Sequence, residues 1–261
     1  MTGAGNDFVV IDNRRKALSN PKKTAVALCD RKFGVGADGL LLAEPSKKAQ
    51  LKMRILNADG SEAEMCGNGV RCFAKFAQDA GILKGRRQTI ETLAGLIEAE
   101  ITGDVVKVRL SDPSRLKLDF RISFDGKSQR MHFVDTGVPH AVQIVEALDK
   151  VDVERLGRVV RRHERFAPKG ANANFVKTLG PGRIQVRTYE RGVEGETLAC
   201  GTGSAASALV TAALKDWKSP VEVNTRGGET LKIHFSRDGH RFYDVYLEGR
   251  VIRTFEGKAF L

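Results

Sequence analysis

Apolar and polar residues alternate along most of this chain in short runs. DFVVID, LKMRIL, QTIETL, LIEAEI and VVKVRL fill the first half, and LKLDFRISF, ANFVKTL, RIQVRTY, VEVNT, TLKIHF and YDVYLEG the second. Breaks rich in glycine and aspartate separate them at Asp59-Gly60, Gly103-Asp104, Asp125-Gly126, Gly227-Gly228 and Asp238-Gly239. A period of two with such punctuation predicts hairpins and a largely antiparallel sheet.

Helical patterns are fewer. Asn20-Pro21 supplies a cap and a first turn for a helix over 21–33, and Asp152 caps another over 153–166. In the latter, Arg158, Arg161, Arg162 and Arg165 share one face, opposite Leu156, Val159, Val160, His163 and Phe166. That is the pattern of a solvated amphipathic helix. Two further helices, over 68–83 and 202–215, carry small or apolar residues around much of their circumference. The second is apolar nearly all round, which predicts burial. The expected architecture is α+β, with two pseudo-symmetric domains, 1–112 and 113–249, each a largely antiparallel sheet wrapped around one central helix. The boundary is placed near Asp112-Pro113. The sequence leaves open whether the last strand, 250–261, joins the first half.

Composition adds the class of protein. A chain of 261 residues with 41% hydrophobic and 29% charged residues suits a soluble globular fold. No apolar run reaches the length of a membrane span, and MTGAGNDFVVID lacks the features of a signal peptide. A cytoplasmic protein with reduced thiols and no membrane partner is expected. The net charge of +11 favours phosphate-bearing partners, and much of it lies in KGRR (84–87) and RVVRRHER (158–165). No zinc finger, helix-turn-helix signature or aromatic-rich RNA motif accompanies those runs, so nucleic acid is not the expected ligand. The four cysteines include no C-x-x-C pair, and no H-x-x-x-H pair occurs, so metal is not expected. Structural disulfides do not fit the expected compartment.

Two of those cysteines change the picture. EMCGNGVRC (64–72) and LACGTGSAAS (198–207) each place a cysteine directly before Gly-x-Gly at a predicted helix start. Glu62 and Glu196 stand four residues ahead of Cys66 and Cys200, which are 200 − 66 = 134 positions apart. A helix N-terminus stabilises a thiolate, and glycines let backbone N–H groups approach an anion. One such site would suit a nucleophilic cysteine with a histidine base. Two suggest partners on opposite faces of one substrate, where a thiolate removes an α-hydrogen and a thiol returns a proton with inversion. Such a pair shares one proton and titrates as a unit. Cys29 and Cys72 lack the motif and read as buried, inert residues.

The motifs GAGNDFVVID (3–12), NADGSEAEMCGNGVRC (57–72), GVPHAV (137–142), ANANFV (171–176), YERG (189–192) and ETLACGTGSAA (196–206) run through almost the whole chain. In this order they resemble the diaminopimelate epimerases, cofactor-independent isomerases of lysine and peptidoglycan precursor synthesis. The proline racemases share the fold and a cysteine pair but lack GNDFVVID and YERG; the phenazine-biosynthesis isomerases share the fold without the pair. The resemblance implies an active site in the cleft between the two halves. It also implies Cys66 and Cys200 as acid and base, able to form an inactivating disulfide on oxidation, with Cys66 conventionally the donor. By the same resemblance, Gly67 and Asn68, with Gly201 and Thr202, bind the reacting carboxylate. Asn6, Asn57, Asn172, Glu190 and Arg191 read the distal end, and His140 lies near substrate. It implies diaminopimelate as the small-molecule substrate, no cofactor, and a homodimer. Arg191 suits a carboxylate, while Glu190 and the amides can accept from an ammonium.

Plainer roles exist for several of these. The asparagines suit turns, Glu190-Arg191 a surface pair, and His140 a packed ring that orients a loop. His132, His163, His234 and His240 have no motif around them. Three departures from the family stand out. Val138 occupies a position where many members have asparagine, which removes a side-chain hydrogen bond near the distal end. The loop GVEGET is one residue longer than usual, and most of a first strand before GAGNDF is missing, which is expected to weaken a sheet edge. The alternatives are a related proline or hydroxyproline racemase, a basic nucleic-acid-binding protein, and a thiol–redox protein.

Overall fold

Strands are the commonest element of the chain, which folds as two compact α+β units. One comprises Met1–Arg109 and the chain from Glu248 onward; the other is Leu110–Leu247. The computed structural model describes residues 1–124 and 126–260, so Asp125 of the expected Asp125-Gly126 turn lies outside the described residues.

The first unit runs β1 (Thr2–Gly3), β2 (Asn6–Asp12), α1 (Pro21–Cys29), β3 (Gly39–Glu44), β4 (Leu51–Asn57), β5 (Glu62–Ala63), α2 (Gly67–Asp79), β6 (Arg87–Thr92), β7 (Gly95–Thr102) and β8 (Val105–Arg109). Antiparallel pairs dominate, but β2 runs parallel to β3 (Phe8 opposite Gly39) and β4 parallel to β6 (Leu51 opposite Ile90). Strand β3 has no period of two, because Leu40, Leu41, Leu42 and Ala43 are all fully buried. A strand covered on both faces reads as a continuous apolar run, and alternation does not mark it. Helix α2 packs against β1, β2, β3, β4, β7 and β8, with Val70, Cys72, Phe73, Ala74 and Ala77 fully buried. The C-terminal segment is tied in by backbone bonds: Thr2 N–H donates to the Ile252 carbonyl at 2.8 Å and Ile252 N–H returns the bond at 2.9 Å.

The second unit holds β9 (Ser114–Phe124), β10 (Lys127–Asp135), β11 (Pro139–Ile144), α3 (Val153–Arg161), β12 (Asn172–Gly180), β13 (Arg183–Glu190), β14 (Gly195–Thr197), α4 (Gly201–Lys215), β15 (Val221–Asn224), β16 (Thr230–Asp238) and most of β17 (Arg241–Arg250). Here too parallel joins interrupt the antiparallel pattern, at β11–β12 and β13–β15. Helix α4 is buried continuously from Gly203 to Ala212 and packs against β9, β10, β11, β12, β13, β15 and β16. That matches the all-round apolar character of its sequence.

The shorter helices end earlier than their sequence pattern. Asn20 caps α1 by accepting from Lys23 N–H, and the helix stops at Cys29. The Asp30 carboxylate then takes the N–H groups of Lys32 and Phe33, each at 2.7 Å, which offers the backbone a turn in place of the helix. Asp152 caps α3, which ends at Arg161, and a separate turn follows over Glu164–Phe166. The expected solvated arginine face is incomplete. Arg161 is mostly buried and donates from Nε to Glu194 Oε1 at 3.0 Å. Gly157 lets α3 approach β13: a Cβ there would stand 2.3 Å from the Tyr189 Cβ.

Candidate active site

Cys66 is the N-cap of α2 and Cys200 the N-cap of α4, both with extended backbones. Gly69 N–H donates to the Cys66 Sγ at 3.4 Å, which is how a capping side chain satisfies a first-turn donor. The Cys200 Sγ lies 3.5 Å from the Thr202 hydroxyl. Cys66 is half-buried and Cys200 is 7% exposed. In both helices the N–H groups of the first two residues, Gly67 and Asn68 in one and Gly201 and Thr202 in the other, have no intrahelical carbonyl to meet. Each start is therefore set to receive negative charge. All four cysteines are thiols rather than disulfide halves. Cys29 is 2% exposed, and burial pushes its thiol up to about 11.

The repeated glutamates have the same partner in each unit. Arg54 of β4 donates from Nε and Nη2 to the two carboxylate oxygens of Glu62 at 2.7 and 3.0 Å. Arg187 of β13 does the same to Glu196 at 2.7 and 2.7 Å. These two-pronged pairs anchor the short strands that lead into the cysteine turns. The glutamates are supports for the turns.

Within the first unit, Asn6 and Asn68 come together. The Asn68 Nδ2 donates to the Asn6 Oδ1 at 2.6 Å, although the two are 62 positions apart. The resemblance assigned one to the distal end of the substrate and the other to the reacting carboxylate. Asn57 is exposed and ends β4 where a turn begins; its Nδ2 donates to the Ser61 hydroxyl at 2.9 Å and its carbonyl accepts from Gly60 N–H.

Within the second unit, His140, Asn172, Glu190, Arg191 and the start of α4 form one group. His140 is opposite Asn172 in the parallel β11–β12 pair. The Asn172 Oδ1 accepts from Arg191 N–H at 2.7 Å, and its Nδ2 donates to the Pro139 carbonyl at 3.3 Å. Burial pushes the Glu190 carboxyl above its ordinary range, with the Cys200 thiol among the groups that pull it down. Arg191 lines a hollow of about 460 Å³ together with Arg115, Lys117, Arg165 and Lys169, and with Asp135, which pairs with Arg115 and leaves the lining net positive. A hollow of about 850 Å³ in the first unit, among Phe8, Leu18, Leu28, Phe76 and Phe255, contains none of the candidate residues.

His140 is fully buried and held neutral. Desolvation, then the Arg191 charge, drives its pKa down to about 3. Its tautomer follows from Asn174, a residue the sequence motifs did not single out. The Asn174 Oδ1 accepts from the Thr188 hydroxyl at 3.0 Å, so its Nδ2 faces the Ala141 carbonyl at 3.0 Å and the His140 Nδ1 at 3.1 Å. Nδ1 is then an acceptor and the proton sits on Nε2, which has no partner among the described residues. The ring is a hydrogen-bond donor. Gly203 makes room for this arrangement, since a Cβ there would fall 2.5 Å from the Asn174 Oδ1 and 3.3 Å from the Cys200 Sγ.

Val138 precedes β11 at a turn where Gly137 has a φ of +98°. The lengthened loop is absorbed locally, as Glu194 N–H donates to the Glu190 carbonyl at 2.8 Å. No three His, Cys, Asp or Glu side chains among the described residues are grouped as a metal ion would need, and no described helix is long and apolar enough to cross a membrane.

Comparison with known proteins gives the same pattern over nearly the whole chain. A family model described as diaminopimelate epimerase matches residues 1–116 and 132–254. A diaminopimelate epimerase of Aquifex aeolicus is 47% identical over 99% of this chain and 95% of its own length. One of Chlorobaculum tepidum is 42% identical over 98% of both. Among solved structures, a Bacillus anthracis phenazine biosynthesis protein of the PhzF family superposes with a TM-score of 0.74 at 19% identity, covering 96% of this chain and 92% of that one. A hydroxyproline epimerase from Agrobacterium vitis gives 0.68 at 17% identity, over 95% and 87%. At those identities the structures speak for the fold alone.

Proposed function

The chain belongs to the diaminopimelate epimerase family, and on that premise we propose that it interconverts LL- and meso-diaminopimelate by proton transfer between two thiols. The observation that carries this reading is the repeated placement of a cysteine as the N-cap of a helix, Cys66 on α2 and Cys200 on α4.

An α-C–H bond beside a carboxylate is a very weak acid, so the carbanion needs help where its charge grows. Two helix starts supply it. The N–H groups of Gly67, Asn68, Gly201 and Thr202 meet the reacting carboxylate, and they are oriented before the reaction begins. One cysteine, as thiolate, takes the α-proton from one face. The other, as thiol, gives its proton to the opposite face and is left as thiolate. Atoms and charge balance without an added reagent, and the roles exchange for the reverse reaction. Cys66 is assigned as donor and Cys200 as acceptor.

The distal amino acid end is read by groups that the second unit holds together. Arg191 and Asn172 suit a carboxylate, and His140, as a neutral donor, adds a hydrogen bond without adding charge. Glu190 suits the ammonium. Asn57, exposed and held through its Nδ2 by the Ser61 hydroxyl, has a second amide hydrogen to offer the substrate. A cytoplasmic homodimer that makes lysine and peptidoglycan precursors completes the reading.

The test is reduced protein with LL-diaminopimelate in D₂O, followed by NMR. Loss of the α-proton with formation of the meso isomer is expected, and a Cys66→Ala, Cys200→Ala double variant should give neither. Absence of exchange from well-folded reduced protein would overturn the assignment. Proline and hydroxyproline, substrates of enzymes that share the fold, serve as the competing substrates.

A further inference from the structure

A guanidinium can only donate hydrogen bonds and a carboxylate can only accept them. The first unit contains an unbroken chain between one of each. The Arg71 Nη2 donates to the Asn68 Oδ1 at 2.7 Å. The Asn68 Nδ2 donates to the Asn6 Oδ1 at 2.6 Å, and the Asn6 Nδ2 donates to the Asp38 Oδ2 at 3.0 Å. Because the ends have one polarity each, the middle has no choice. Turning over either amide would set donor against donor at one contact and acceptor against acceptor at the next.

Both ends are themselves held. Arg71 is fully buried and also donates from Nη1 to the Arg250 carbonyl at 3.2 Å. The Asp38 carboxylate takes Arg31 Nη2 at 2.8 Å and Asp7 N–H at 3.2 Å. Arg71 lies three residues after Asn68 on α2, so the two side chains share one face of that helix. Asp38 immediately precedes β3, which runs parallel to β2 and so comes alongside Asn6.

Each amide nitrogen carries a second hydrogen that this chain of bonds leaves over. Each amide oxygen already receives a donor. We propose that Arg71 and Asp38 are positioning residues that hold Asn6 and Asn68 as a pair of donors, so that this part of the site takes a carboxylate and rejects an ammonium. This rests on the diaminopimelate reading and sharpens it. The resemblance let Asn6 accept from an ammonium at the distal end, and the bond polarity turns it the other way, toward the carboxylate role already assigned to Asn68.

The experiment compares LL-diaminopimelate with its monoamide, a single compound because the diacid is symmetric. The readout is the ratio of kcat/KM for the diacid to that for the monoamide, in wild type, Arg71→Met, Asp38→Ala and Asp38→Asn. A donor pair aimed at a carboxylate predicts that Arg71→Met and Asp38→Ala lower the ratio at least fivefold. Asp38→Asn, which keeps an acceptor oxygen, should hold it within about twofold of wild type. A merely structural loss lowers both rates together and leaves the ratio alone, and that result in Asp38→Ala overturns the proposal. If Arg71→Met does not fold, Asp38→Ala decides, because Asp38 is exposed. A folded wild type that turns over neither compound overturns the functional reading itself and takes the proposal with it.

Discussion

Arg187 grips Glu196 through two hydrogen bonds of 2.7 Å each, four residues before Cys200, as Arg54 grips Glu62 four residues before Cys66. The two turns are thus built alike, on an arginine from the preceding long strand and a glutamate on a short one. Arg187 also donates to the carbonyls of Leu148 and Val151, at 3.1 and 3.0 Å.

Glu196→Ala leaves that arginine's charge mostly buried without its carboxylate, since both side chains of the pair are 15% exposed. The expected loss of stability is about 3 kcal/mol. Glu62→Ala, where the pair is 22% and 24% exposed, should cost less, about 2 kcal/mol. Urea denaturation measures both. An unchanged midpoint for Glu196→Ala would show that the pair does not support the fold.

His140 sets a pH dependence whose sign follows from its burial. Its pKa is lowered to about 3 in the folded protein, so between about 3 and the ordinary value near 6.5 the unfolded chain binds a proton that the folded one does not. Stability therefore falls as pH drops below about 6.5, with a slope of up to about 1.4 kcal/mol per pH unit from this group, and is unaffected by it above that pH. His140→Gln should flatten the curve between pH 5 and 7. An equally steep curve in the variant would assign the dependence to other groups. The same neutrality predicts that no step in the activity profile between pH 6 and 8 belongs to His140.

Gly203→Ala tests the close packing behind Cys200. A methyl group 2.5 Å from the Asn174 Oδ1 forces that amide to move, and with it the hydrogen bond that sets the His140 tautomer. Overpacking of this kind costs about 1–3 kcal/mol. Activity should fall at least tenfold in protein that still folds. Wild-type kcat/KM in the variant would show that the Asn174–His140 contact has no part in turnover.

The cysteines should separate by reactivity and by consequence. Cys66→Ala and Cys200→Ala are each expected to lower epimerisation by roughly a thousandfold, the range for loss of a positioned acid or base. Cys29→Ala should keep activity. Iodoacetamide near pH 8 should leave Cys29 unmodified, because it is 2% exposed and burial pushes its thiol up to about 11. Peptide mapping of alkylated protein reads this directly, and modification at Cys29 ahead of Cys66 would contradict it.

Local information was enough for much of this. The strands at Asn6–Asp12, Leu51–Asn57 and Arg183–Glu190 show in their alternation, and the caps Asn20 and Asp152 in their residue type. The buried strand Gly39–Glu44 was not legible, since burial on both faces erases the period. The ends of α1 and α3 were missed because Asp30 and His163 divert the backbone through side-chain bonds that apolar spacing does not record.

The sequence alone determined the family, the α+β class and the two cysteine turns, since a Cys-Gly-x-Gly motif at a helix start is written in adjacent residues. It also placed the glutamates ahead of those turns, but not their partners. Only the tertiary structure decided that Glu62 and Glu196 are supports, that Asn174 sets the His140 tautomer, and that Asn6 and Asn68 are polarised between Arg71 and Asp38. These are properties of contacts between residues far apart in the chain. A hydrogen bond has a direction only when both partners are known, and folding is what brings the partners together.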